Sequence, residues 1–284
     1  MKFTKMQGAG NDFIMIEAVG LERDWLQTAK AMCDRRFGIG ADGLILVLPS
    51  NVADVRMRIF NSDGSEAETC GNGLRCLARY AVSKGLAKPG AREISIETIP
   101  GVRKIRLAYE GKNLAKIQVG MGQPKFAAQD IPAKVGEHQL DIIPIQDYPV
   151  LVDGRRLELS FVSMGNPHAV YFSNQKVADF PLSEIGPKVE HHKMFPKRIN
   201  FEIARVLNRK TIEARVWERG AGETLACGTG ACAIAVSARL HNFVGDKVDI
   251  MLPGGTLNIE WDGKGEVLMS GPAEIVFSGE WLKD

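Results

Sequence analysis

The chain has 284 residues, 45% of them hydrophobic, enough for two ordinary cores and suggestive of two domains. Its 36 basic and 34 acidic residues nearly cancel to a net charge of +2, so no broad cationic field recruits nucleic acid or a membrane surface. Met1 to Met6 lacks the apolar run of a signal peptide, no stretch approaches the roughly 18 apolar residues of a bilayer span, and five cysteines suit a reducing cytoplasm better than a disulfide framework.

Alternating runs at Phe3–Met6 and Phe13–Glu17 predict two strands around the Gly8-Ala9-Gly10-Asn11-Asp12 turn. Asp24 is a helix cap, and Trp25, Leu26, Ala29, Met32 and Cys33 share one face of a helix predicted to run through Arg36. Strands are predicted at 44–48 and 55–60, then a polar loop with Cys70 and a helix over 74–84. Residues 93–97, 102–108 and 114–120 read as a further antiparallel set. The stretch 122–149 holds Pro124, Pro132, Pro144 and Pro149 and no long periodic segment. It is the expected boundary between a domain over 1–121 and one over 150–284, with a strand near Ile142 assignable to either side and a C-terminal strand able to cross over. Strands follow at 157–163, 169–172, 201–207 and 211–217, then a helix over 231–242 after Cys227, and strands at 247–252, 256–261 and 274–277. Strands outnumber helices and connections are short. The expected class is α+β, as two pseudo-symmetric domains, each a curled mixed or antiparallel, barrel-like sheet around its cysteine-bearing helix.

That symmetry is written in the residues. Glu68-Thr69-Cys70-Gly71-Asn72-Gly73 matches Leu225-Ala226-Cys227-Gly228-Thr229-Gly230, the two cysteines 157 positions apart. Phe60 to Glu66 precedes the first as Trp217 to Glu223 precedes the second. Gly10-Asn11-Asp12-Phe13 parallels Gly165-Asn166-Pro167-His168, and Pro100-Gly101 parallels Pro253-Gly254. A period near half the chain means duplication rather than a solenoid.

A Cys-Gly-x-Gly step into a helix places a thiol at the helix N-terminus, where free N–H groups and the dipole favour negative charge. Such placement lowers a thiol pKa from about 8.5 to between roughly 3.5 and 7.5. The N–H groups of Gly71, Asn72 and Gly73, and of Gly228, Thr229 and Gly230, are also suited to a carboxylate whose charge grows toward a carbanion. One such cysteine is weak evidence of chemistry, since most lone cysteines are packing residues. Two in register predict one reaction with two faces: a proton removed on one side of a carbon and delivered on the other.

Cys33, Cys76 and Cys232 lie on helical stretches and are read as buried, inert thiols; the pairs Cys70/Cys76 and Cys227/Cys232 lack the two-residue spacing of zinc or dithiol motifs, and no metal is expected. His168 follows a turn at the start of a strand. Glu218 follows a strand that ends at Trp217, near the second cysteine loop, where its bland reading is a surface Glu-Arg pair. Asn11, Asn61, Asn166 and Asn200 each border a loop, common for asparagine, yet all four sit near the repeated motifs.

Taken together, Gly8 to Phe13, Phe60 to Ser65, Cys70 to Cys76, Gly165 to His168, Glu218 to Thr224 and Ala226 to Ala231 resemble the diaminopimelate epimerases over the whole chain and in order. The resemblance implies a cofactor-independent, two-base isomerase. It would interconvert LL- and meso-diaminopimelate on the route to lysine and peptidoglycan, as a cytoplasmic homodimer. It implies Cys70 and Cys227 as the acid–base pair and His168 and Glu218 as tuners of the thiols. Asn11, Asn61, Asn166, Asn200 and Arg219, with Glu218, would hold the substrate, and Gly71, Asn72, Gly228 and Thr229 would cradle its reacting end. Gly43 departs from the pattern, since some relatives carry a substrate-contacting glutamine there. The alternative within the superfamily is a racemase of proline, hydroxyproline or histidine, against which Arg219 and the asparagines speak. A redox-sensing protein would not need N–H cradles beside both thiols, and no lysine carries a recognisable pyridoxal phosphate motif.

Overall fold

The computed structural model describes residues 1–68, 70–136 and 144–282. It divides into two compact units: residues 1–120 with the C-terminal stretch from Ser270, and residues 121–269.

In the first unit, β1 (Lys2–Gly8) and β2 (Asn11–Glu17) form a hairpin. Ala9 and Gly10 turn it, with φ of 56° and 80°, the paired positive values of a two-residue turn whose twist matches the flanking strands. β3 (Gly43–Leu48) lies parallel to β2, and β4 (Val55–Asn61) antiparallel to β3. The short β5 (Glu66–Ala67) folds back on β4. β6 (Glu93–Thr98) runs parallel to β4, followed by β7 (Gly101–Glu110) and β8 (Asn113–Gly120) in antiparallel succession. Helix α2 (Gly71–Ser83) touches β1, β2, β3, β4, β6, β7 and β8, so the sheet curls around it. Leu74, Cys76, Leu77, Ala78 and Ala81 are buried there, and each large apolar side chain so buried stabilises by about 1.5–3 kcal/mol. Helix α1 (Trp25–Cys33) covers the outer face with Ala29, Met32 and Cys33, against Ile14, Ile16, Leu44 and Leu46. It is capped by Asp24, whose carboxylate accepts the Gln27 N–H. It ends three residues earlier than its periodicity predicts, because the Asp34 carboxylate takes the N–H groups of Arg36 and Phe37, both at 2.7 Å.

The second unit repeats the ladder. β9 (Tyr148–Val152) pairs with β10 (Arg155–Ser163), β10 with β11 (Pro167–Phe172), and β12 (Asn200–Asn208) runs parallel to β11. β13 (Thr211–Glu218) is antiparallel to β12 and takes the short β14 (Gly222–Thr224) as β4 takes β5. β15 (Lys247–Leu252) lies parallel to β13, and β16 (Gly255–Glu260) follows as a hairpin. Helix α4 (Gly228–Leu240) is almost wholly buried; its Gly- and Ala-rich sequence lets β10, β11, β12, β15 and β16 approach closely. Helix α3 (Leu182–Glu190) is not anticipated by the sequence reading, because Pro187 interrupts its pattern. It packs so tightly that a side chain at Gly186 would lie 2.6 Å from the Trp217 ring.

β17 (Leu268–Ser270) is followed by β18 (Glu274–Glu280), which pairs with β1, so the last strand of the chain belongs to the first unit. The described residues of the Pro-rich stretch belong to the second unit rather than to a linker: Lys125 bridges Ser163, and Met121 donates to Val267 O. The strand expected near Ile142 falls outside the described residues. Among the described residues no helix is long and apolar enough to cross a membrane.

Candidate active site

Cys70 occupies the N-cap of α2 in extended conformation, φ −146°. The first intrahelical bond is Leu74 N–H to Cys70 O, 2.8 Å, so the N–H groups of Gly71, Asn72 and Gly73 precede the helical ladder. Asn11, opening β2, sets Oδ1 toward this start: Cys70 Sγ donates to it at 3.8 Å and Asn72 Nδ2 at 3.2 Å. Asn11 Nδ2 in turn donates to Asp42 Oδ2 at 2.8 Å. Asp42 and Asp12 bond each other's backbone N–H and are clamped by Arg35, while Lys5 pairs with Asp12 at 2.7 Å. Burial opposes ionisation of Asp12, but hydrogen bonds from Arg35 and Lys5 outweigh it and hold the carboxyl at about 2. Asn61, ending β4 opposite Gly43, bonds Ser65 through backbone and side chain. Behind the helix start, the wholly buried Arg75 donates to Asn72 Oδ1 at 2.7 Å and to Pro272 O at 3.3 Å.

Cys227 caps α4 in the same way, φ −122°, with Ala231 N–H to Cys227 O at 2.9 Å. Its sulfur accepts the Gly230 N–H at 3.4 Å and lies 3.5 Å from Thr229 Oγ1. Asn166 Nδ2 donates to Thr229 Oγ1 at 3.2 Å, and His168 Nε2 lies 3.0 Å from Asn166 Oδ1. His168 Nδ1 is 2.6 Å from Glu202 Oε1, both side chains fully buried. Glu218 accepts the Thr224 hydroxyl at 2.5 Å. Asn200, opening β12 opposite His168, donates to Pro167 O and accepts the Arg219 N–H at 2.9 Å. Buried Glu190 on α3 anchors the turn beyond β13, accepting from Trp217 Nε1 at 2.8 Å and Gly220 N–H at 3.0 Å. Arg219 itself is exposed, with Nη1 on Lys197 O.

Cys227 corrects the expectation of a lowered thiol. Burial first, then the charge of Glu218, push it well above its ordinary range, against the Thr229 and Gly230 hydrogen bonds. The N-terminal donors are present, but desolvation and two carboxylates outweigh them, so the group is held as a thiol.

The family model for diaminopimelate epimerase matches residues 3–127 and 160–276. The chain belongs to the diaminopimelate epimerase family. It is 49% identical to the diaminopimelate epimerase of Moorella thermoacetica, over all of both chains, and 44% identical to that of Methanococcus maripaludis over 99% of each. Among solved structures it is similar to a phenazine biosynthesis protein of the PhzF family from Bacillus anthracis (TM-score 0.72, 19% identity, 100% and 99% of the chains). It is also similar to a hydroxyproline epimerase from Agrobacterium vitis (TM-score 0.69, 13% identity, 98% and 91%). These two likenesses carry the fold.

Against this family background, the structure places Asn11, Cys70, Gly71 and Asn72 at one helix start, with Asn61 at the end of β4. It links Asn166, His168, Cys227 and Thr229 in one chain of contacts beside Gly228, and joins Asn200 to Arg219. Glu218 lies close enough for its charge to act on Cys227. Gly43 leaves no room for a longer side chain without a shift, since a Cβ there would lie 2.8 Å from Phe60 O. Cys33, Cys76 and Cys232 are buried, and burial pushes Cys33 and Cys76 each up to about 12. Sequence reasoning missed Arg75, Glu190 and Glu202. The available signal was a charge inside an apolar run, as in Phe201-Glu202-Ile203.

Proposed function

We propose that Cys70 and Cys227 are the acid–base pair with which this amino-acid epimerase inverts one α-carbon of 2,6-diaminopimelate, interconverting the LL and meso forms without a cofactor. One sulfur takes the α-proton, and the bonding pair moves onto the adjoining carboxylate. The other sulfur then returns a proton to the opposite face. The observation that carries this reading is the twin helix start: two thiols in one capping position, each followed by backbone N–H groups that offset the charge growing on a carboxylate. Burial and Glu218 favour the protonated form of Cys227, and the two sulfurs exchange the roles of acid and base with the direction of the reaction. Gly71, Asn72, Gly228 and Thr229 are assigned to the reacting end of the substrate. Asn11, Asn61, Asn166, Asn200, Glu218 and Arg219 are assigned to the rest, with His168 and Glu218 tuning the thiols. The family route supplies lysine and peptidoglycan precursors, which fits a cytoplasmic enzyme.

The test is proton NMR of LL-diaminopimelate with purified protein in deuterated water. The meso form should accumulate with solvent deuterium at the inverted α-carbon; unchanged substrate, or turnover of proline, hydroxyproline or histidine instead, defeats the reading. We also assign β18 to a homodimer contact. It pairs with β1 yet exposes Ile275, Val276 and Phe277, an apolar strand that a second copy would cover. Sedimentation should show a dimer that Phe277→Glu converts to monomer, and a monomeric wild type removes the assignment.

A further inference from the structure

We propose that Glu190 is the positioning residue that selects the shape of the turn carrying Glu218 and Arg219, and so governs the grip on the far end of the substrate rather than the proton transfer. This deepens the assignment of Arg219 to substrate binding and rests on it.

The turn is built on two held amides. Ala221 N–H closes it onto Glu218 O at 3.1 Å, and Gly220 takes φ of 80°, the pattern of a type II turn with its positive residue third. Asn200 Oδ1 accepts the Arg219 N–H at 2.9 Å, and Glu190 Oε1 accepts the Gly220 N–H at 3.0 Å. The peptide planes on both sides of the Arg219 Cα are therefore fixed, and with them the direction in which its side chain leaves the backbone. Types I and II differ by rotation of the peptide between the two central residues, here Arg219 and Gly220. Glycine tolerates either; the bond to Glu190 decides between them.

The duplication supplies an internal control. Glu190 follows Cys33 by 157 positions, the interval that separates Cys70 from Cys227, and each closes a nine-residue helix leading into a parallel strand. The matching turn, Asn61-Ser62-Asp63-Gly64, closes likewise, Gly64 N–H to Asn61 O at 2.9 Å, but puts its positive φ, 85°, on the last residue. That is the type I pattern, with Asn first and Gly fourth. There Cys33 is buried where Glu190 stands, and Asp63 of the turn itself accepts the Ser65 N–H at 2.8 Å. The fold therefore permits either turn, and the buried acid accompanies the one that carries Arg219.

Two further changes come with the acid. Trp217 stands in place of Phe60, and Gly186 in place of Ala29, at the same interval. The ring fits only because Gly186 has no side chain, since a Cβ there would lie 2.6 Å from it. Its Nε1–H then reaches Glu190 Oε2 at 2.8 Å, so both carboxyl oxygens accept an N–H while the side chain is only 4% exposed. Arg198 Nη1 stands 3.6 Å from Oε1. An amide of the same shape offers one acceptor and one donor, and so satisfies only one of these two N–H groups at a time.

Glu190→Gln should therefore raise KM for diaminopimelate about 10-fold, with kcat within about threefold. That effect should disappear where residue 217 has no N–H to oppose the amide. Between Trp217→Phe and the Glu190→Gln, Trp217→Phe double variant, KM should change by less than about twofold. A merely structural role would lower stability in both backgrounds without this split. With Arg219→Met raising KM, an unchanged KM in folded Glu190→Gln, or an equal rise in both backgrounds, overturns the proposal. Hydrogen exchange of the Gly220 amide reads the turn without substrate. It should be slow in the wild type, roughly 10-fold faster in Glu190→Gln and slow again in the double variant. Exchange at the rate of an open amide in the wild type overturns the proposal with no variant needing to fold. If Arg219→Met leaves KM unmoved, the assignment of Arg219 to the substrate falls instead, whatever the exchange shows.

Discussion

At the start of α2 the side chain of Asn72 is held from the helix side, by Arg75 one turn on. At the start of α4 the side chain of Thr229 is held from the sheet side, through Asn166, His168 and Glu202. The ladders beneath are the same, strand for strand, from the β1–β2 and β10–β11 hairpins to the β6–β7 and β15–β16 hairpins. What differs is the sign of the buried charge. A guanidinium holds Asn72 in the first turn of α2, and carboxylates act on Cys227. A duplicated fold thus presents two thiols at equivalent helix starts and surrounds them differently, with carboxylates raising the second thiol.

The largest test of that comparison removes each sulfur in turn. Cys70→Ala and Cys227→Ala should each lower epimerisation by about 10²–10⁴-fold or more, since a missing acid or base leaves one face unserved. The asymmetry adds a finer expectation. For the substrate isomer whose proton Cys70 removes, Cys227→Ala should retain some deuterium wash-in at the α-carbon, while Cys70→Ala should not. Near-wild-type inversion by either variant would end the two-base assignment.

How much of this was open to sequence reasoning follows from the same contrast. The duplication was legible because turns and caps are local: the Cys-Gly-x-Gly steps and the Pro-Gly turns before β7 and β16 reappear where expected. The strands of the ladder were legible for the same reason. The charge asymmetry was not. Arg75 and Glu202 act across strands and turns, so their meaning depends on which neighbours the fold delivers. Helix α3 was hidden by Pro187, and the thiol state of Cys227 by burial, which no local pattern encodes. The pairing of β18 with β1 spans nearly the whole chain.

Arg75→Met sharpens the helix-side half of the comparison. It leaves Asn72 Oδ1 and Pro272 O without these donors inside a packed unit, a loss of about 2–4 kcal/mol. The midpoint of thermal unfolding should drop by roughly 5–10 °C. Activity should fall as well, since Asn72, which donates to Asn11 Oδ1, loses the donor that fixes its own oxygen. A stable, fully active Arg75→Met would mean that the buried cation has no part in setting the first thiol.

Glu218→Gln addresses the other sign. The Glu218 charge is the chief influence on Cys227 after burial, and it favours the protonated form. Neutralising it should let the Cys227 thiolate appear at lower pH, read as absorbance near 240 nm lost in a Glu218→Gln, Cys227→Ser double variant. An upward displacement, or none, would show that Glu218 does not act on this sulfur.

The smallest effect concerns the thiol that faces neither site. Burial raises Cys76 from 9.0 to about 12, so the folded state binds this proton more tightly than the unfolded chain does. The sign follows from linkage: the contribution to stability is whole below pH 9 and is lost as pH rises from 9 toward 12. At pH 10 the loss is about 1.4 kcal/mol. Cys76→Ala should therefore be less stable than wild type at pH 7, from lost packing in α2, and should close part of that gap by pH 10. Denaturant unfolding at the two pH values gives the difference directly. A gap that stays constant or widens would mean that Cys76 ionises as freely in the folded protein as outside it, contrary to a thiol sealed inside the first unit.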